Sequence, residues 1–435
     1  MEMSVTSEKQ QSSVVPMTIV AMLFFILGFA TWLNGSLMPY LKQILQLSPL
    51  QASLILFSFY IAVTFSALPS AAVIRKVGYK NGMALGMVIM MIAGLLFIPA
   101  AKTQIFALFL FAQLVMGSGI TLLQTAVNPY VVRLGPEESA AARISVMGIL
   151  NKGAGVIAPI VFTALILSGF EGQTGVELTQ ESIDSMANSL IAPYLGMAIF
   201  IGLLAIAVKK SPLPELENEE DSIDSNSKGH IKEALSHPNL VLGVIALFFY
   251  VAVEVIAGDT IGTYALSLGV ENYSVMTSYT MICMVVGYIL GISLIPRFIS
   301  QQTALTVSAI LGLLLTVGVV TGDNHSYALA DILLVPFGGA QLPDTLIMIA
   351  LLGLANAIVW PAVFPLALSG MGKLTSTGSA LLVMGISGGA FGPLFWGIAS
   401  SSSSVGEQGA YLVMLPCYLF ILFYAVKGHK MKKWS

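Results

Sequence analysis

Three charged side chains stand where charge is expensive. Lys152, Glu254 and Asp259 lie inside long apolar stretches of a 435-residue chain. Insertion scales put each such charge at about 2.5–3.5 kcal/mol, so three without partners cost roughly 8–10 kcal/mol. Charges at that depth pair with one another or face a wet cavity, and they mark ion pathways. Lys152 is expected to pair with one of the two acids, Glu254 or Asp259, in its plainest role as a strut. One carboxylate is then left over, and an unmatched anion at membrane depth is a cation site. Asp259 and Glu254 are the candidate ligands for Na+, with Thr260, Thr263 and the backbone opened by Gly258 and Gly262 supplying further oxygens. The charge count points to a cation without naming it.

The neutral polar residues form stripes. Gln113, Gly117, Thr121, Gln124 and Asn128 follow one another at steps of four, four, three and four, which places them on one helical face. Asn356 and Trp360 share a face, Thr31 and Asn34 flank Trp32, and Asn151 precedes Lys152. Amides beside tryptophan suit a sugar, because each hydroxyl asks for a donor and an acceptor and Asn or Gln offers both. The candidate substrate site is Asn34, Gln124, Asn128, Asn151, Asn356 and Trp360. Gln113, nearest its helix end, is expected to join helices, as polar residues in membranes commonly do. Trp32 is equally consistent with a lipid-facing position.

The elements that position these groups follow from composition. Hydrophobic residues make up 56% of the chain and charged ones 9%, against about 25% charged in soluble domains. This excludes a soluble globular or disordered protein, and a net charge of −3 gives no field for nucleic acid. A bilayer core needs about 20 apolar residues per helix. Twelve apolar runs qualify, near 17–42, 50–74, 82–101, 104–132, 141–169, 189–208, 239–268, 273–296, 302–321, 344–370, 375–400 and 409–427. The polar leader Met1–Ser13 is expected to be retained, the first run being too long for a signal peptide. Sorting the 19 Lys and Arg along alternating loops puts 16 on the side of the N-terminus, Lys42 and Lys102 on the other, and Lys152 within a span. By the positive-inside rule both termini are cytoplasmic. The acidic, Pro-bearing stretch 209–238 is a linker, dividing the chain into bundles at 1–208 and 239–435. The four His lie in loops and Cys283 and Cys417 in apolar runs, so neither an enzyme, a cofactor nor a disulfide framework is expected.

The halves repeat. Val146–Ile149 and Val383–Ile386 both read VMGI at an offset of 237; Ala126-Val127-Asn128-Pro129 is echoed by Ala362-Val363-Phe364-Pro365 at 236; Phe24-Phe25 is echoed by Phe248-Phe249 at 224. Parallel six-helix repeats about an axis along the membrane normal are the architecture of major-facilitator transporters, which hold substrate near the midplane. The fold expected is therefore all-α, twelve transmembrane helices in two six-helix pseudo-repeats. The loop Arg75-Lys76-Val77-Gly78-Tyr79-Lys80 resembles that superfamily's short basic motif.

Longer segments sharpen the resemblance. WLNGSLMPYL (32–41), LLQTAVNPYV (122–131), LGPEESAAARISVMGILNKGAGV (134–156) and VEVIAGDTIG (253–262) are similar to the fucose–galactose–glucose symporters, closest to the bacterial glucose/galactose and N-acetylglucosamine branch. The resemblance implies a secondary active hexose importer of the bacterial inner membrane, working as a monomer with sugar, cation and lipid as its partners. The fucose branch carries an aspartate at the position of Gly35 and a glutamate at that of Gln124, both linked to proton coupling there. Here both positions are neutral. The 224-residue offset maps Gly35 onto Asp259, as though the acid had moved to the other half. Sodium is accordingly preferred over the proton as coupling ion, proton-coupled transport of a hexose or N-acetylglucosamine being the alternative. A drug–proton antiporter or a non-transporting sugar sensor on the same scaffold are readings of another class.

Overall fold

The structure is a computed structural model that describes residues 14–133, 140–167, 179–215, 232–295 and 297–434. The leader, Lys9, Lys228 and most of the 209–238 stretch lie outside them.

Among the described residues twelve helices are long and apolar enough to cross a bilayer. They are α1 (Val15–Ile44), α2 (Pro49–Ala67), α3 (Tyr79–Thr103), α4 (Phe106–Asn128), α5 (Val146–Ile166), α6 (Gln180–Lys210), α7 (Pro238–Asp259), α8 (Tyr273–Leu294), α9 (Gln301–Thr321), α10 (Asp344–Leu368), α11 (Thr377–Ser400) and α12 (Gly406–Lys430). Local chemistry starts several of them. Before α2, the Ser48 hydroxyl accepts from the Gln51 N–H at 3.2 Å, while the Gln51 amide oxygen accepts from the Ser48 N–H at 2.9 Å. Pro49 occupies the first turn, where no N–H is needed. Ser300 caps α9 in the simpler way, accepting from the Thr303 N–H at 3.1 Å.

Hydropathy located the spans but not their interruptions. The helix of α1 breaks at Leu33, and α10 breaks between Asn356 and Val359. The run expected over 239–268 ends as an α-helix at Asp259, and a second helix, Ile261–Ser267, starts beyond Thr260. Apolarity is blind to backbone breaks of this kind, because each side of the break is as hydrophobic as the helix it interrupts. Broken helices are tolerated at membrane depth where they are buried in protein or line a cavity.

The packing repeats with the helices. A Cβ on Gly28 of α1 would collide with the Asn151 backbone of α5, and one on Gly388 of α11 with the Phe248 backbone of α7. The same Cβ on Gly388 would lie 3.1 Å from the Ala252 nitrogen, and positions 252 and 388 are 28 and 151 carried forward by the offsets 224 and 237. Likewise Gly117 of α4 meets the Phe59 backbone of α2, and Gly353, 236 residues on, meets the Thr280 backbone of α8. Backbones approach this closely only where one partner lacks a side chain. The first six helices join the last six mainly through α2 on α11 and α5 on α8.

Candidate functional site

A buried ion pair links α5 to α7 across the two halves. Lys152 Nζ sits 2.6 Å from Glu254 Oε1, and the Tyr250 hydroxyl donates to the same oxygen at 2.8 Å. The ammonium also lies 4.2 Å from the centre of a Trp32 ring. The geometry thus selects Glu254, not Asp259, as the partner of Lys152. Of the two carboxylates expected at a Na+ site, Glu254 is the one already engaged, its Oε1 serving Lys152 and Tyr250. Five residues of helix turn Glu254 and Asp259 about 140° apart, onto different sides of α7.

Trp32 is not lipid-facing. It is 2% exposed, and a Cβ on Gly155 or Gly258 would press on its ring at 2.8 and 2.7 Å. The indole is wedged between α5 and α7. Its Nε1 donates to Asn151 Oδ1 at 3.4 Å, and Asn151 Nδ2 reaches the Phe24 carbonyl at 3.5 Å.

Asp259 stands apart from this network. It is wholly buried at the last turn of α7. Its Oδ2 accepts one long hydrogen bond, 3.4 Å, from the Tyr60 hydroxyl of α2 in the other half. Its Oδ1 has no hydrogen-bond partner, and neither has the Thr263 hydroxyl one turn on. The Thr260 hydroxyl, expected as a cation ligand, is committed to the Ile256 carbonyl at 2.6 Å and to Tyr411 at 2.9 Å. A Cβ on Gly35 would lie 3.0 Å from Asp259 Oδ1, so the two positions related by the repeat meet at one point between the halves. Among the described residues there is no group of three or more His, Cys, Asp or Glu side chains able to hold a metal ion.

The polar stripe of α4 opens along its length. Gln113 is 1% exposed and donates to Asn34 Oδ1 at 2.7 Å, joining α4 to α1. Thr121 is still buried, Gln124 is half-buried and Asn128 is exposed. The face that α1 covers at one end is therefore open at the other, on the side of the chain termini. Gln113 joins helices as expected, but it takes Asn34 with it: the buried Asn34 oxygen accepts from Gln113, its Nδ2 has no partner, and neither belongs to the open part of the candidate substrate site. Asn356 is fully buried and accepts from the Tyr418 hydroxyl at 2.8 Å, with its Nδ2 unpartnered. Trp360, half-buried, stacks on Phe364 at 5.8 Å and tilts against Tyr250 at 6.3 Å.

The end of the molecule away from the termini is bolted shut. Lys42 pairs with Glu407 at 2.5 Å, the Leu50 N–H donates to the Ser401 hydroxyl at 3.2 Å, and Ser36 donates to the Ser274 carbonyl. Glu407 belongs to α12 and not to a loop, so charge sorting by loop passed over a third cross-half carboxylate. Tyr60, Tyr250 and Tyr418 were missed as well. A phenol is apolar enough to vanish into a hydropathy profile, and only a neighbouring carboxylate gives it away.

The sequence pattern that defines the Major Facilitator Superfamily matches residues 20–393. A glucose/galactose transporter of Brucella abortus is 33% identical, the match covering 95% of this chain and 94% of that one. A putative glucose/galactose transporter of Helicobacter pylori is 32% identical over 98% of this chain and 99% of its own. The L-fucose–proton symporter of Escherichia coli is 26% identical over 96% and 94%. Among solved structures, the fucose:proton symporter in its outward conformation superposes with a TM-score of 0.69 at 25% identity, covering 95% of this chain and 99% of that one. A D-xylose–proton symporter superposes with a TM-score of 0.68 at 14% identity over 97% and 99%.

Proposed function

Because the chain belongs to the major facilitator superfamily of membrane transporters, we propose that it imports a hexose of the glucose/galactose type together with a proton. The observation that carries this reading is Asp259: a buried carboxylate between the halves with one long hydrogen bond and, among the described residues, no ion pair. Burying an ionised carboxylate without a partner is costly, and adding a proton removes the charge. Loading Asp259 favours closure of the halves around it; release re-imposes the penalty and favours opening. Relatives whose descriptions state a coupling ion are proton symporters, which supports the proton over the sodium preferred from sequence. Sodium remains the second reading on one observation, the paired unpartnered oxygens of Asp259 and Thr263.

Lys152 and Glu254 then serve a different purpose. They neutralise one another and hold α5 against α7, so the pair carries no net charge through the cycle. The sugar sits between the halves: Gln124 and Asn128 on the open face of α4 with Asn151 of α5 from the first half, half-buried Trp360 and buried Asn356 from the second, and Tyr250 and Tyr418 beside them. The bundles 1–208 and 239–435 rock about this site as units, with both termini in the cytoplasm and the Lys42–Glu407 end facing out. One proton moving through 100 mV supplies about 2.3 kcal/mol, roughly fifty-fold accumulation.

Uptake of labelled glucose and galactose into proteoliposomes under imposed gradients tests this. An inward proton gradient is expected to drive accumulation and an inward sodium gradient at equal pH to leave it unchanged. Accumulation driven by sodium alone selects the second reading. Uptake that equilibrates under both gradients leaves a uniporter, and sugar binding without flux leaves a sensor. Proton-dependent efflux of lipophilic cations instead makes the chain a drug antiporter.

A further inference from the structure

A groove of about 710 Å³ runs down the outside of the first half between α3 and α6, remote from Asp259 and Lys152. Its walls are Ala84, Leu85, Val88 and Met91 of α3 and Ile199, Leu203 and Ile206 of α6, and its mouth carries Asn81 and Lys209. The two helices pack closely on one another. A Cβ on Gly94 would lie 3.3 Å from Ala198, and one on Gly202 2.7 Å from the Met91 sulfur. The groove lies beyond that contact, toward the side of the termini. Its α6 rim faces away from the protein: Ile199 is 55%, Leu203 61% and Ile206 55% exposed.

We infer that this groove binds one anionic phospholipid, an acyl chain lying between the helices and the phosphate at Lys209. Three observations support this occupant. The walls are apolar over two helical stripes, while the polar groups gather at the single end where a bilayer meets water. Lys209 is exposed at the last turn of α6 with Lys210 beside it, so the positive charge stands at the mouth. One nearby alternative for an anion is already occupied: Lys80 Nζ donates to the Ser211 carbonyl at 2.6 Å, and the Lys80 N–H at the start of α3 donates to Glu215 at 3.3 Å. A phosphate is thus directed to Lys209 and Asn81 and repelled from the Glu215 corner. Basic pockets between transmembrane helices are where anionic headgroups are held.

The test is native mass spectrometry of the purified full chain titrated with dioleoyl-phosphatidylglycerol, with dioleoyl-phosphatidylcholine, and with inorganic phosphate in detergent alone. Wild type is expected to retain one phosphatidylglycerol in preference to phosphatidylcholine. Lys209→Gln should cut that preference about fivefold, the weight of one basic residue near an anionic surface. Leu203→Trp should fill the groove and expel the lipid whatever its headgroup. Sugar uptake in both variants should match wild type, which establishes that they fold. Equal retention of both lipids by wild type, retention unchanged by Lys209→Gln, or inorganic phosphate displacing phosphatidylglycerol each overturns the assignment. Should Leu203→Trp fail to fold, Lys209→Gln decides alone.

Discussion

Removing one partner of the Lys152–Glu254 pair should be far more damaging than removing both. In Lys152→Gln the Glu254 carboxylate keeps only the Tyr250 hydroxyl, 2.8 Å away, and stays buried without a counter-charge. Breaking a buried pair in this way costs about 3–5 kcal/mol. Glu254→Gln is milder. The ammonium keeps the Trp32 face at 4.2 Å, a contact of about 0.5–2 kcal/mol, and gains an amide oxygen in place of the carboxylate. The double variant Lys152→Gln/Glu254→Gln leaves two amides that can bond to each other, and replacing both charges is often close to neutral. Equilibrium unfolding in mixed micelles, run on all four proteins, gives the coupling energy directly. It should reach several kcal/mol, well beyond the ~0.3–0.5 kcal/mol within which independent sites add. The double variant should also retain proton-driven uptake, because the coupling carboxylate is untouched. Additive single effects, or a double variant that folds but has lost coupling, would show that the pair is not the self-neutralising strut described above.

Lys42→Ala removes the ion pair that bolts the outer end. It should shift the resting population toward an outward-open state, read as faster labelling of a cysteine placed at Ser274 by a membrane-impermeant thiol reagent; unchanged labelling would make the pair ornamental. Asn128→Ala should weaken sugar binding several-fold with little effect on stability, whereas Asn34→Ala should lower stability by about 1–3 kcal/mol through the orphaned Gln113 amide and leave affinity nearly intact. The reverse pattern, in a binding titration beside a thermal melt, would return Asn34 to the site. Gly258→Leu should abolish transport while the protein still inserts, since a side chain there collides with Trp32; normal turnover would mean α7 and Trp32 do not pack during the cycle.

Much of the fold is legible in the sequence, because a bilayer forces every span to announce itself as an apolar run. The repeat is legible for a related reason. The glycines that let helices touch must recur wherever the packing does, as Gly117 and Gly353 do. The site is legible as a list more than as an arrangement. Which acid Lys152 meets depends on the rotation of α7 against α5, 102 residues away in sequence, and hydropathy holds no information on rotation. Helical geometry already separates Glu254 from Asp259, and that signal was available. Between Trp32 and Asn34 that geometry does not apply, because the helix breaks at Leu33, and the pairing of Asn34 with Gln113 was hidden with the break. The Lys42–Glu407 pair was hidden because α12 begins one residue before Glu407, earlier than its apolar run suggests.

On the proposed function Asp259 alone carries the coupling ion. Sugar-induced alkalinisation of a weakly buffered medium around proteoliposomes measures it, comparing wild type with Asp259→Asn. The amide keeps the shape and can still accept from Tyr60 but holds no exchangeable charge. Wild type should take up about one proton per sugar, and Asp259→Asn should take up none while still exchanging labelled for unlabelled sugar. Proton uptake that persists in Asp259→Asn would contradict the account.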